Sequence, residues 1–164
     1  MLIVLRKIII ISFMVATVLL SSTLLYTLHL YYGIYRATRA IDIKIQKFEV
    51  KVFNVSYVVI ARELLVENPS EYGIQAITIK QTFRLNGRYI ATMFVDLTNN
   101  TDIRPMSNTT LMSQHPVPSH LTQYVAEEEE KHWLAETNAM LQFPLVGKLA
   151  LTFYDSPQSH YTNS

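Results

Sequence analysis

The 164-residue chain contains no cysteine. That excludes disulfide staples and thiol chemistry, though it does not fix a compartment. It has four glycines, all scattered, so no glycine-rich loop exists to cradle a phosphate. No G-x-S-x-G elbow presents a nucleophile. Asp42, Asp96, Asp102 and Asp155 do not follow the spacing of a calcium loop. No excess of one charge is present either: 14 Lys and Arg face 13 Asp and Glu, which argues against a nucleic-acid surface. There is no internal repeat and no low-complexity tract. These absences predict a chain that is not an enzyme, with no cofactor, no small-molecule substrate and no nucleic-acid partner.

One absence is local. Arg6 and Lys7 are followed by 28 uncharged residues, Ile8 to Tyr35, before Arg36 and Arg39. About 20 apolar residues suffice to span a bilayer as a helix. Ser12, Thr17, Ser21, Ser22, Thr23 and Thr27 are tolerable there, because a helix lets a hydroxyl bond the preceding turn. Tyr26, His29, Tyr31, Tyr32 and Tyr35 cluster at the far end, as rings do at a headgroup interface. The pattern predicts an apolar core over 8–28 and an interfacial collar over 29–35. The run exceeds the ~7–15 apolar residues of a cleaved signal peptide and lacks a small-x-small site after it, so an uncleaved signal anchor is expected. Lys and Arg on the two flanks do not decide orientation. A short basic tail and three N-x-S/T triplets, at Asn54, Asn99 and Asn108, favour a single-pass protein with its domain extracytoplasmic and glycosylation at those asparagines. Asn68 is followed by proline and does not count.

The division expected is a basic tail (1–7), a transmembrane helix (8–35), a β-sandwich ectodomain (36–155) with a helical insert (119–141), and a flexible tail (156–164). Ile41, Ile43 and Ile45 alternate, then Phe48, Val50 and Val52 continue in the other phase, as across a β-bulge. Residues 57–66 read as a strand buried on both faces near its start. Pro69 ends that ladder. Ile77, Ile79, Phe83 and Leu85 alternate up to Asn86-Gly87, the dipeptide that hairpin turns with φ > 0 require. Residues 88–97 run back, 98–108 form a polar loop, and 109–115 make a short strand. Ser119 is placed to cap a helix, with Leu121, Tyr124 and Val125 as its apolar patch and Glu127–Lys131 as an i,i+4 pair. Residues 145–154 alternate again. The sum is a mainly β fold, an antiparallel sandwich of about seven strands with one late helix.

Several of these residues recur together in a known family. A strand leads into Asn68-Pro69-Ser70 and Tyr72-Gly73-Ile74. Another ends in Leu85-Asn86-Gly87, then Tyr89-Ile90. Ile103-x-Pro105-x-Ser107 follows, and Val146-Gly147-Lys148-Leu149 opens the last strand. Over residues 41–154 the chain resembles the late embryogenesis abundant group-2 domain, also called the water-stress and hypersensitive-response (WHy) domain. The resemblance implies a seven-stranded sandwich related to fibronectin type III, often behind one N-terminal transmembrane helix. It also implies links to stress tolerance and membranes, with no catalytic residues to carry over. Segment 119–141 is longer and more acidic than that pattern.

Three roles follow as expectations. One is a non-catalytic binding, structural or stress-protective protein at the membrane or cell envelope, with the lipid bilayer as partner. Another is an accessory subunit packed against other membrane-protein subunits. The last is a metal-binding or redox domain using His115, His120, His132, Glu127–Glu130, Met106 and Met112; a solvated acidic face with exposed histidines is the plainer reading of those residues. Trp133, the single tryptophan, is read as core, with a partner contact as the alternative.

Overall fold

The computed structural model describes residues 2–163 except 55, 96, 98–101, 128–130 and 145. Its first element, α1 (Leu2–Ala40), is one continuous helix. At 1.5 Å per residue the apolar stretch 8–28 is about 31 Å long, matching a hydrocarbon core of about 30 Å. Thr17, Ser22, Thr23 and Thr27 each donate a hydroxyl hydrogen bond to the carbonyl four residues earlier. Those polar side chains are therefore satisfied within the helix itself.

Beyond it, two sheets pack face to face. The first has the order β6-β2-β1-β9, built from β1 (Asp42–Asn54), β2 (Tyr57–Asn68), β6 (Ser107–Pro116) and β9 (His160–Asn163). The second has the order β4-β3-β7-β8: β3 (Ile74–Leu85), β4 (Arg88–Phe94), β7 (Trp133–Phe143) and β8 (Gly147–Asp155), with the two-residue β5 (Asp102–Ile103) on β3. All pairings are antiparallel except β1 with β9. The mainly β, two-sheet expectation holds. The β1 register shifts between Ile45 and Lys47, at the phase slip visible in the sequence, and Asp155 accepts a hydrogen bond from the Ile45 amide there. Asn86 and Gly87 have φ of 49° and 80°, so the β3–β4 connection is the primed turn their sequence demands.

Three expectations are corrected. The helical insert 119–141 is half helix and half strand: α2 spans Ser119–Glu127 and Trp133–Phe143 is β7, in the interior of its sheet. Lys131 therefore does not face Glu127 on a helix; its ammonium lies 3.4 Å from the centroid of the Tyr161 ring. The tail 156–164 is not free. His160–Asn163 pairs with the β1 edge, and Tyr161 packs on the core. The boundary at residue 36 also moves, because Ile34 and Ala37 of α1 are buried in the domain.

The core forms two apolar clusters. One joins Ile34 and Ile41 to Ile43, Val66, Ile79 and Phe143 at the α1 end. The other joins Phe48, Phe83 and Trp133 to Leu121 and Val125 of α2 at the opposite end. Arg62, Gln81 and Thr137 fall between them on inward-facing rows and are 3%, 0% and 2% exposed. Gln81 Nε2 donates to Thr137 Oγ1. One Arg62 Nη donates to Met93 Sδ, and the guanidinium lies 5.3 Å from the Phe83 centroid. Among the described residues Arg62 Nε and its other Nη have no partner, nor do Gln81 Oε1 and Ser113 Oγ.

Burial pulls the Arg62 guanidinium down from its ordinary value to about 10. A base depressed in the folded state opposes folding at every pH below that value. The cost is relieved only as pH rises from about 10 towards the unfolded value. Arg62→Met, which keeps the length and removes the charge, therefore raises the unfolding free energy by about 1–3 kcal/mol. The gain is equal at pH 7 and pH 9 and is read by denaturant titration of the full chain in mild detergent. A loss of stability would show that Arg62 is fully satisfied.

Candidate functional site

The candidate site is built where α1 meets the sandwich. Its foundation is Asn68-Pro69-Ser70. Proline keeps Asn68 extended and removes it from the helical region, and the Asn68 side chain turns inward, 0% exposed. Its amide nitrogen donates to the carbonyls of Tyr72 at 2.8 Å and Arg104 at 3.0 Å. Its oxygen accepts from the Ser70 amide at 3.2 Å and the Ser70 hydroxyl at 2.6 Å. The Met106 amide donates to the Ser70 carbonyl at 3.0 Å. One buried side chain thus holds the 68–73 turn and the 103–106 segment together, which a solvated turn would not need.

This knot aims Tyr72 at the helix. A Cβ placed on Gly33 would meet Tyr72 Oη at 2.6 Å, so glycine permits the close approach. Ile34 and Ala37, 2% and 4% exposed, continue the contact into the core. On the other side of the helix Tyr31 and Tyr35 remain 59% and 57% exposed, while Tyr32, 61% exposed, borders the side that meets the domain. The collar expected over 29–35 thus has two faces: Tyr31 and Tyr35 outward, and Gly33 and Ile34 against the domain with Tyr32 at their margin.

A groove of about 480 Å³ runs between the two walls. His29, Tyr32 and Arg36 line it from the helix; Ser70, Glu71 and Met106 line it from the sandwich. The Arg36 guanidinium carbon lies 6.0 Å from the Tyr32 centroid. No ion pair joins Arg36 to Glu71 among the described residues.

The residues singled out in the sequence fall elsewhere. His115 Nε2 lies 2.9 Å from the Phe94 carbonyl, bridging the edges of the two sheets. His120 is on α2, and His132 precedes β7 with its amide bonded to Asn86 Oδ1. Glu128–Glu130 lie outside the described residues. Among the described residues no three His or acidic side chains come together as a metal site requires. Asn54 and Asn108 are exposed, Asn54 at the α2 end and Asn108 on the edge strand β6; Asn99 lies outside the described residues. Trp133 is 3% exposed, so the partner-contact alternative gives way to core packing. Sequence reasoning missed Gly33, Arg36 and Glu71 as a set. The signals were present, because Gly33 interrupts the apolar run and Glu71 sits inside the family-like turn.

A scan against family models finds no match, and no curated protein matches. Solved structures do. An Arabidopsis thaliana protein, AT1g01470, is 18% identical over 76% of this chain and 87% of its own, with a TM-score of 0.54. A structural-genomics target, SoR45, is 10% identical over 76% of this chain and 97% of its own, with a TM-score of 0.50. A protein provisionally assigned as late embryogenesis abundant, At2g46140.1, is 15% identical over 84% of this chain and 82% of its own, with a TM-score of 0.47. At such identities the likeness is one of fold.

Proposed function

We propose that this chain is a single-pass membrane protein whose sandwich is held against the bilayer surface in a non-catalytic binding or protective role. The observation that carries the reading is the two-part character of α1. Its apolar stretch buries nothing inside the chain (0% of its most apolar window), whereas Ile34 and Ala37 at its end are core residues of the domain. An exposed apolar surface of that length needs a cover, and a bilayer supplies one of matching thickness. The domain then sits at the headgroup layer with no linker between.

A late embryogenesis abundant group-2 relationship is supported by the order of the Asn68-Pro69-Ser70, Asn86-Gly87 and Val146-Gly147 motifs. The extracytoplasmic side is the reading favoured by exposed Asn54 and Asn108; a glycan mass on either in a secretory host reports it.

The test is alkaline carbonate extraction of membranes carrying the full chain. The chain stays in the pellet, and Val15→Arg with Leu19→Arg releases it, each charge at the helix centre costing about 3 kcal/mol on insertion scales. Recovery of the unmodified chain in the supernatant would overturn the anchor. Sizing after gentle detergent separates a lone anchor from an accessory subunit: a stoichiometric multi-protein particle favours the subunit.

A further inference from the structure

The groove between α1 and the 69–72 turn lies at the depth where headgroups are found. Its upper wall starts at His29, one residue past the apolar stretch 8–28, and Arg36 is about two turns, or about 10 Å, further along. If the helix spans the bilayer, lipid headgroups flank the groove mouth at high local concentration. The groove itself carries one full positive charge, Arg36 on the helix, and one full negative charge, Glu71 on the sandwich. They do not pair with one another. Ser70, one of the knot residues, adds a hydroxyl, and Tyr32 and Met106 supply apolar surface.

We propose that this groove seats one phospholipid whose headgroup carries both a phosphate and a primary ammonium. The inference rests on the membrane-anchor reading. Arg36 faces the phosphate, for which its forked donors suit two oxygens. Glu71 accepts from the ammonium. A purely anionic headgroup would meet Glu71 unneutralised. A quaternary ammonium has no N–H to give Glu71, and the face of Tyr32 that would attract it is already approached by Arg36. The zwitterionic primary amine is the one headgroup that answers both charges. A lipid bound there bridges the helix to the turn that clamps it, so it tightens the domain against the membrane.

Native mass spectrometry of the full chain in mild detergent tests this, with phosphatidylethanolamine, phosphatidylglycerol and phosphatidylcholine added in equal amounts. One phosphatidylethanolamine adduct persists in preference to the others. Glu71→Gln abolishes that preference, an effect of about tenfold on the ethanolamine lipid, and Arg36→Gln weakens all three phospholipids by a similar factor. Both side chains are exposed, and a thermal melt of each variant shows that the fold is intact. Equal retention of the three lipids, or wild-type retention in both variants, overturns the proposal. Carbonate extraction of the same preparations separates the two readings. A chain that is embedded but lacks preference refutes the headgroup site alone, whereas a chain in the supernatant refutes both.

Discussion

Trp133→Ala lowers the unfolding free energy by about 3–5 kcal/mol, the largest effect expected of any single change in this domain. The indole is 3% exposed. It meets the Phe48 ring edge-on at 5.1 Å and Phe83 at 6.5 Å, while those two rings stack at 5.5 Å. Truncation leaves a void at the centre of this trio, and the surrounding strands are too fully paired to collapse into it. It also removes the hydrogen bond from Nε1 to the Tyr161 hydroxyl at 3.1 Å, one of the contacts that hold β9 to the core. Trp133→Phe keeps the ring and costs less than half as much. Far-UV circular dichroism of the full chain in mild detergent reads both. A loss below about 1 kcal/mol, the range of ordinary surface substitutions, would return Trp133 to the surface and revive its reading as a partner contact.

Asn68→Ala is the second large effect, at about 3 kcal/mol or more. The amide group makes four hydrogen bonds of 3.2 Å or less from a fully buried position. Its removal breaks all four at once. The carbonyls of Tyr72 and Arg104 keep only the hydroxyls of Ser70 and Ser107, and the buried Ser70 amide loses its acceptor. An orphaned group of that kind costs about 1–3 kcal/mol. Asn68→Asp retains the acceptor but sets a carboxylate against two carbonyls, so it does not rescue. The consequence reaches α1, because Tyr72 loses its support. Amide hydrogen exchange over 33–41 accelerates together with 69–73, whereas the hairpin at Asn86-Gly87, at the far end of the sandwich, changes less. Unchanged exchange at the helix end would show that the clamp does not depend on the knot.

The strands that were legible were those whose inward rows are strongly apolar. Phe48-x-Val50-x-Val52 and Phe83-x-Leu85 announce themselves, and Asn86-Gly87 supplies the only turn that fits between β3 and β4. β7 was missed although its alternation is complete. Its inward row is Trp133, Ala135, Thr137, Ala139, Leu141 and Phe143, and the small and hydroxyl residues in the middle carry little hydropathy. An acidic run just before it strengthened the helical reading. β9 was missed for a different reason. It is four polar-looking residues whose placement depends on one ring, Tyr161, and on the backbone edge of β1, and edge pairing leaves no local pattern. Arg62 and Gln81 were passed over because each is one polar residue in an otherwise apolar row; counted by parity, both face inward.

The candidate site was half legible. The 68–73 turn stood out, but its partner on α1 could not, since nothing in a periodic apolar helix marks which face will meet a domain. Gly33 was the one available clue.

The central claim is that the last turns of α1 are part of the folded domain. Spin labels at Ser22→Cys on α1 and Lys80→Cys on β3, both exposed positions in a chain with no native cysteine, give one helix-to-sandwich distance by pulsed electron paramagnetic resonance in bilayer nanodiscs. One narrow distance distribution is predicted, and Asn68→Ala broadens it. A broad distribution in the unaltered sequence would mean that the sandwich swings freely on its anchor, and would contradict the claim.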